Sequence, residues 1–467
     1  MLFAAIVAVN GVFLVGALYF FRESLREKER RASRMAGLGA IVLLLLGAGI
    51  IGLPVLRIPV AVLFGMILFF GLVLAFPAAS DPRALNGAPG HIRGEGRRHD
   101  ERDVVFARQR SLPAGSDAYR RYYDMHPERE APDSRRREKG LLGIPGSIDG
   151  RHRPNVAMMA SAFDMPDMLG PYSVAGPEED SSPAEIDPAE AARIVKGYTR
   201  HLGADLVGIC RINPLWVYSH RGEIHYGNWE EWGKEIEDLP PFAVVFATEM
   251  DWAHVAAAPH TPSVAESAGN YALGSYISVI LARWFARMGY RGVAEHSRNY
   301  DLVMPPLAVD AGLGEVGRLG YLIAPRFGAR VRLFATLTDM PLVPDRPISM
   351  GVDRFCERCR KCAESCPSRS IPLGEKVLHM GAEKWKLNED TCFEYWGKIG
   401  TDCSVCMAVC PFSRPNTPLH RLVRLMVAHS ALAQGLLPFV DNVLYGKRWR
   451  PKTPPEWLDF SKGEGPG

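Results

Sequence analysis

The sequence lacks a strong excess of either charge, and it has almost no cysteine outside one region. Its 467 residues carry 55 Lys and Arg against 52 Asp and Glu, a formal net charge of +3. This balance gives no overall basic bias toward nucleic acid. Cys210, in the strand-like run "DLVGIC", is the only cysteine before residue 356, a pattern unlike that of a small secreted domain stapled by disulfides. No internal repeat is present apart from two cysteine runs.

Those two runs follow the spacing with which bacterial ferredoxins hold [4Fe-4S] clusters. The first is C-x2-C-x2-C-x3-C-P, and the second ends in C-x2-C-x3-C-P, with ten residues between its first two cysteines. The crossed rule of two-cluster ferredoxins predicts two ligand sets. They are Cys356, Cys359, Cys362 and Cys410, and Cys392, Cys403, Cys406 and Cys366. Zinc sites or disulfides are the alternative, but zinc sites rarely keep a third cysteine at this spacing and a fourth before proline.

Three nearly uncharged apolar runs occupy residues 1–21, 36–56 and 58–76. Each is long enough to cross the hydrocarbon core of a bilayer, so we predict three transmembrane helices. A signal peptide followed by buried core helices is the alternative, but no cleavage-like site separates the runs. Only Arg57 stands between the second and third runs, which leaves a re-entrant pair open as well.

Basic residues predict the orientation of these spans. They lie between the first two runs (Arg22, Arg26, Lys28, Arg30, Arg31 and Arg34) and after the third (Arg83, Arg93, Arg97 and Arg98), whereas the other side has only the N-terminal amine and Arg57. Because such residues stay in the cytoplasm, we expect a multi-pass protein of the inner membrane whose large C-terminal part faces the cytoplasm. Reduced cysteines are stable in that compartment.

Beyond the spans, the sequence predicts four further segments. Residues 77–150, rich in Pro, Gly and Arg, form a tether that becomes a wrapping arm. Residues 151–345 alternate helix and strand patterns and form an α/β core; residues 346–420 form a ferredoxin-like domain; residues 421–467 form an extension that packs on the core. Within the core we predict helices over 189–203 and 271–290 and strands over 204–212, 242–250 and 330–342.

Two places in this core have candidate binding residues. The segment "AGLGEVGRLG" contains Gly312, Gly314, Gly317 and Gly320, whose missing side chains allow backbone to approach a large planar ligand. Nicotinamide dinucleotide binding is the rival, ranked low because "GLGEVG" precedes a strand-like run and does not open a long helix. Near the start of the 271–290 helix, Tyr271 and Tyr276 offer polar tips, although tyrosines that merely pack there are the simpler interpretation.

Several stretches together resemble the cobalamin-dependent reductive dehalogenases. They are "FATEMDW", "SYISVILARWFARMGYRG", "AVDAGLGEVGRLGYLIAPRFGARVRL" with the cysteine runs, and "DNVLYGKRW". The likeness covers residues 104 to about 460. The sequence is more distantly similar to the epoxyqueuosine reductases, but their helix typically carries an acid in the register of Tyr276, which favours the dehalogenases.

This resemblance implies a nitroreductase-like α/β core that holds a base-off corrinoid, followed by two [4Fe-4S] clusters that feed it electrons. No D-x-H-x-x-G cobalt-ligating motif is present, as expected for that family. The resemblance assigns the proton donor to Tyr271 and the supporting cation to Arg330, with Tyr276 and Arg318 as second choices. It assigns corrinoid contacts to the four glycines and Arg318.

The predicted activity is reductive cleavage of a carbon–halogen bond in an organohalide. The expected partners are membrane lipid and a low-potential electron donor, which is a ferredoxin, a flavodoxin or the membrane quinol chain. No nucleic-acid partner is expected. A membrane-bound iron–sulfur electron carrier and an epoxyqueuosine-reductase-like cobalamin enzyme are the alternatives.

Overall fold

A computed structural model describes residues 1–74, 80–139, 142, 152–177 and 182–459. Its α-helices, in chain order, are α1 (Leu2–Arg26), α2 (Arg30–Gly52), α3 (Arg57–Leu74), α4 (Pro82–Leu85), α5 (Val105–Arg110), α6 (Asp117–Met125), α7 (Pro127–Lys139), α8 (Arg153–Leu169), α9 (Pro188–His201), α10 (Trp252–Val255), α11 (Thr261–Arg287), α12 (Met304–Asp310), α13 (Val352–Cys359), α14 (Lys361–Ser365), α15 (Glu389–Ile399), α16 (Val405–Ala408), α17 (Pro418–His429) and α18 (Ala431–Tyr445). Its strands are β1 (Val174–Ala175), β2 (Leu206–Arg211), β3 (Phe242–Glu249), β4 (Gly292–Glu295), β5 (Glu315–Val316), β6 (Leu322–Ile323), β7 (Val331–Thr338), β8 (Val377–His379) and β9 (Ala382–Lys384).

The chain divides into two compact units. The first comprises Met1–Ser80, Met350–Cys359 and Pro415–Trp449, and the second comprises Asp81–Ser349, Arg360–Arg414 and Arg450–Gly467. The first unit therefore contains α1, α2, α3, α13, α17 and α18. The five-stranded sheet and most of the cysteine-rich region belong to the second unit.

The three N-terminal helices are long and apolar enough to cross a membrane. Most of their large apolar side chains are exposed in the protein alone, as expected for helices that lipid surrounds. Helix α1 packs along α2, and the short connection between them turns at Lys28, whose φ is 56°. The predicted apolar helices are thus confirmed, except for residues 75 and 76, which lie outside the described residues.

The second unit is built around one sheet with the strand order β1-β4-β7-β3-β2, and every pairing in it is antiparallel. Alternate residues of the central strands fill two separate cores: Val245 and Ala247 pack on one face, Val244 and Phe246 on the other. Because both faces are covered, β3 is a continuous apolar run. The predicted strands at 204–212, 242–250 and 330–342 are confirmed as β2, β3 and β7.

Helix α11 lies against one face of this sheet and against α8. At Gly274 the helix backbone comes so close to β7 that an added Cβ would lie 2.2 Å from the Phe334 ring. The helix begins at Thr261, ten residues before the predicted start at 271, because the sequence between contains Pro262 at a position that starts helices.

Part of the predicted tether folds into helices α4 to α7. Residues 77–79, 140, 141 and 143–150 of that segment lie outside the described residues. The glycine-rich segment forms the tight hairpin of β5 and β6, and no long helix opens there, as the argument against a dinucleotide-binding turn expects.

Candidate active site

A cavity of about 460 Å³ lies within the second unit. Its walls include the N-terminal half of α11, the start of β7, the β5–β6 hairpin and the second cysteine run. Aromatic and aliphatic side chains make up most of the lining, among them Phe106, Phe163, Leu319, Leu322 and Trp396. A deep, largely apolar cavity with a few polar groups is the usual form of a ligand site.

Tyr271 and Arg332 meet on one wall of this cavity. The guanidinium carbon of Arg332 lies 5.2 Å from the centroid of the Tyr271 ring. The close approach of α11 to β7 at Gly274 brings the ring, one turn earlier, against Phe334 at a centroid distance of 6.1 Å. Arg332 and Phe334 are two residues apart in a strand, so both point toward α11. The local packing of α11 on β7 thus fixes the pair.

Asp402 and Ser267 hold Arg332 in this position. One guanidinium nitrogen lies 2.9 Å from Asp402 Oδ2 and 2.5 Å from Ser267 Oγ, and the Ser267 hydroxyl itself donates to Asp402 at 2.6 Å. Burial alone would lower the pKa of Arg332, but Tyr271 and Asp402 raise it above its ordinary value. The side chain therefore remains a cation beside the Tyr271 ring.

Arg330, which the sequence suggested as the supporting cation, lies elsewhere. It precedes β7 and is fully buried, where it donates to the backbone oxygens of Met250 and Ser413 and pairs with Glu249 at 2.9 Å. It does not line the cavity. Arg330 precedes the strand, so its side chain does not point in the same direction as that of Arg332. Its contacts connect the start of β7 to the backbone of two other segments.

The second-choice residues also lie away from the cavity. Tyr276 is 46% exposed on the outer side of α11. Arg318 is buried, donates to the carbonyl oxygens of Pro372 and Gly374 at 2.8 Å and stacks on Trp385. Neither side chain is positioned to touch a ligand in the cavity.

The four glycines shape the hairpin and do not line the cavity. Gly312 has a φ of 75°, and a Cβ there would lie 2.5 Å from the Arg346 carbonyl oxygen. A Cβ on Gly314 would lie 2.2 Å from the carbonyl oxygen of Ile323. Gly317 and Gly320 lie in the same turn, and their neighbours Leu319 and Tyr321 provide the lining. The glycines therefore bring protein backbone close to protein backbone.

Four cysteines also line the cavity: Cys366, Cys392, Cys403 and Cys406. They are one of the two predicted crossed sets. Burial raises the pKa of Cys392 to about 11 and that of Cys403 to about 12, and the charges of the other thiols add to both increases. None of the nine cysteines forms a disulfide. Four thiols that line one cavity are suited to a group that supplies positive charge, such as iron.

The remaining cysteines are divided between the two units. Cys356 and Cys359 lie on α13 of the first unit, and Cys362 and Cys410 belong to the second, and all four are buried. Among the described residues, no three His, Cys, Asp or Glu side chains are gathered as one metal ion would need. Ligands of a four-iron cluster surround a much larger group, so they are more widely spaced than the ligands of a single zinc ion.

Sequence reasoning missed Arg332, Asp402 and Tyr321. Burial raises the pKa of the Tyr321 phenol well above its ordinary value, and the neighbouring Cys406 and Cys392 add to the increase, so this hydroxyl keeps its proton beside the cysteines. Arg332 could have been found from strand alternation in "RVRLF", where it shares a face with Phe334. For Asp402, the only indication in the sequence was its position directly before Cys403.

Comparisons with known proteins find similarity to an iron–sulfur domain family and to reductive dehalogenases. Residues 355–413 match the 4Fe-4S dicluster domain family. The chain is 33% identical over 299 residues to a tetrachloroethene reductive dehalogenase of Sulfurospirillum multivorans, a match that covers 57% of this chain and 59% of that protein. An epoxyqueuosine reductase of Lactococcus garvieae is 29% identical over 24% of this chain and 32% of its own length.

Two solved structures have the same fold. A catabolic reductive dehalogenase matches with a TM-score of 0.60 and 25% identity over 80% of this chain and 49% of its own. Another reductive dehalogenase, described in terms of B12-dependent dehalogenation, matches with a TM-score of 0.59 and 24% identity over 84% of this chain and 54% of its own. The chain thus spans about half of the length of these relatives, from 49% to 59%. In sequence and in fold, the chain is similar to reductive dehalogenases.

Proposed function

We propose that this protein is a membrane-anchored reductive dehalogenase. It replaces the carbon–halogen bond of an organohalide by a carbon–hydrogen bond, consumes two electrons and one proton, and releases a halide ion. The observation that carries this proposal is the arrangement of the cavity, where Tyr271 and Arg332 share one space with Cys366, Cys392, Cys403 and Cys406. A proton donor and an electron relay are thereby both next to the place where a substrate would bind.

The residues of the cavity fit a corrinoid bound without a protein histidine below the cobalt. His296 is the only histidine that the described residues contribute to the lining. Its Nε2 is 2.8 Å from Ser173 Oγ and its Nδ1 accepts from the Arg298 backbone, so both nitrogens are engaged. Leu319, Leu322 and Trp396 provide apolar surface for a corrin ring. When bound, the corrinoid supplies the low-potential cobalt that delivers electrons to the carbon–halogen bond.

The eight cysteines of the two runs would hold two [4Fe-4S] clusters, which would supply electrons one at a time. The gathered thiols of Cys366, Cys392, Cys403 and Cys406 support one cluster, and the spacing of the other four cysteines supports the second. Cysteines bind iron as thiolates, so the binding of iron offsets the cost of deprotonating thiols whose pKa is raised.

Tyr271 supplies the proton to the carbon atom from which the halide leaves. Its phenolate is then stabilised by the Arg332 cation beside the ring, and two unit charges about 5 Å apart attract each other by about 3 kcal/mol in an effective dielectric of 20. Asp402 and Ser267 keep the guanidinium in place while this charge develops. Preorganised charge of this kind lowers a barrier because no group must reorient during the reaction.

Replacing one cluster cysteine tests this function directly. In the anaerobically purified wild-type protein we expect about eight iron atoms per chain and halide release from tetrachloroethene or 3-bromo-4-hydroxybenzoate with a reduced viologen. Cys406→Ser should lose about half of the iron and nearly all halide release. Cys210→Ser is the matched control, because Cys210 is buried beside Leu307 and belongs to neither set.

A wild-type protein that carries zinc in place of iron, without a cubane signal in electron paramagnetic resonance after reduction, would contradict the cluster assignment. Full iron with Cys406→Ser activity equal to the control would contradict the electron path.

We propose further that the spans lie in the inner membrane and that the second unit faces the cytoplasm, as the basic residues around the spans indicate. A reporter fused after residue 467 should be active only if it works in the cytoplasm. Activity of a reporter that functions only in the periplasm would reverse this orientation.

A further inference from the structure

Helices α17 and α18 of the first unit form a hairpin in which the usual distribution of polar and apolar side chains is inverted. On α17, His420, Arg424 and Val427 are buried, whereas Leu422 and Leu425 are 53% and 57% exposed. These two leucines are three residues apart, so they lie on one face of the helix. A water-soluble helix would place arginine outside and leucine inside.

The second helix repeats this inversion. Ala433, Gln434 and Pro438 are buried on α18, whereas Leu432 and Phe439 are 42% and 65% exposed. Leu432 and Phe439 are seven residues apart and form one stripe along the helix. Four large apolar side chains thus project from the hairpin, more than isolated exposed residues would explain.

Three buried polar side chains of the hairpin each make a polar contact within the first unit. His420 Nε2 lies 2.7 Å from Glu27 Oε1, Arg424 donates to Asn416 Oδ1 at 2.8 Å, and Gln434 donates to the Val427 carbonyl oxygen at 2.8 Å. These bonds fix which face of each helix turns inward. The apolar face is therefore held outward by the fold.

The hairpin also contacts the ends of the first two apolar helices. Arg31, in the first turn of α2, donates to the Val443 carbonyl oxygen at 2.8 Å, and the rings of Phe20 and Tyr445 are 6.3 Å apart. The C-terminal end of α18 is thus attached to the ends of α1 and α2 that carry the basic residues. Arg421, Lys447 and Arg448 add exposed positive charge to the hairpin.

We propose that the α17–α18 hairpin lies on the bilayer, with Leu422, Leu425, Leu432 and Phe439 in the boundary between headgroups and acyl chains. An apolar face with basic residues beside it is the usual form of a helix that lies in the membrane interface next to anionic lipid. The inference rests on the proposed insertion of the three spans, because they place the hairpin at that level. Helix α13, which carries Cys356 and Cys359, packs on α18, so these cluster ligands lie one helix away from the lipid surface.

Site-specific photocrosslinking tests this contact in the full chain. The variants Phe439→benzoylphenylalanine and Leu425→benzoylphenylalanine are placed in nanodiscs of phosphatidylethanolamine and phosphatidylglycerol and irradiated, and lipid adducts on each peptide are measured by mass spectrometry. Leu45 of α2, 68% exposed, serves as the membrane-span probe, and Arg193 on α9 of the second unit is the exposed control. We expect lipid adducts at 439 and 425 at least about tenfold above those at 193.

Lipid adducts at 45 without adducts at 425 and 439 would overturn the proposal and leave the anchor intact. Crosslinks from 425 or 439 to a second copy of the chain, in place of lipid, would identify the hairpin as a protein interface and would also overturn it. Absence of lipid adducts at all three positions would contradict both the hairpin contact and the membrane spans.

Discussion

Tyr271→Phe should lower the rate of halide release by about 10²- to 10⁴-fold, which corresponds to roughly 3 to 5 kcal/mol at the barrier. The substitution removes the hydroxyl that donates the proton and keeps the ring that packs between Phe163 and Phe334. Iron and cobalt content, measured on the same samples, should equal those of the wild type, so the loss belongs to the chemical step.

Tyr276→Phe is the matched control on the same helix. Its ring lies outside the cavity and is 46% exposed, so halide release should be unchanged. If Tyr276→Phe abolishes turnover while Tyr271→Phe leaves it intact, the proton donor lies one turn further along the helix. If neither change matters, the tyrosine mechanism is wrong for this protein.

Arg332→Met should lower turnover per cofactor-loaded chain by about 10²-fold or more, because the developing phenolate would lose its cation. The change also leaves the buried Asp402 carboxylate without the Arg332 cation, with the hydroxyls of Ser267 and Ser404 as its remaining donors, which costs stability. The double variant Arg332→Met with Asp402→Asn removes this buried charge and should regain stability without regaining activity. Combined with Tyr271→Phe, Arg332→Met should be little worse than either single change, since the two residues act as a unit.

Arg330→Met tests whether the cation that supports Tyr271 is Arg332 or Arg330, the residue that the sequence suggested. Arg330 ties the Met250 and Ser413 backbone to the start of β7, so its loss should reduce the yield of folded protein through the unpaired carbonyl oxygens and Glu249. Turnover per chain that retains both cofactors should stay near the wild-type value. If Arg330→Met instead abolishes turnover in loaded chains and Arg332→Met does not, the cation is Arg330.

The difference between these two arginines shows how far the sequence could predict the site. Tyr271 was predicted because it stands in a long helix that resembles a known family, the crossed cysteine set was predicted from spacing alone, and both stay predictions. Which arginine reaches the tyrosine depends on where β7 begins, since only residues within the strand alternate regularly between its faces. A boundary uncertain by one residue is enough to change which arginine is predicted to reach the tyrosine.

The glycines illustrate a second limit. Sequence can show that backbone must pass close to something at Gly312 and Gly314, but it does not show what. The structure shows that the neighbours are the carbonyl oxygens of Arg346 and Ile323, which belong to the protein itself. The antiparallel pairing of the sheet illustrates a third limit. Alternating helix and strand patterns in the sequence do not specify whether neighbouring strands run parallel or antiparallel.

The hairpin of α17 and α18 was predicted only as an extension that packs on the core. Its sequence contains leucines and basic residues at helical spacing, which suits either a core helix or a surface helix. Only burial shows that Arg424 and Gln434 turn inward and Phe439 turns outward. The interpretation as a membrane-lying element therefore needed three-dimensional contacts.

The ratio of electrons consumed to halide released tests the central claim most directly. The purified protein, loaded with cobalt and iron, is supplied anaerobically with a reduced viologen and with tetrachloroethene or 3-bromo-4-hydroxybenzoate, and both quantities are followed in one reaction. A reductive dehalogenase should consume two electrons for each halide ion and yield the hydrogen-substituted product, and Tyr271→Phe should slow both together. Loaded clusters that accept and pass on electrons while no organohalide yields halide would contradict the account and leave an electron carrier in its place.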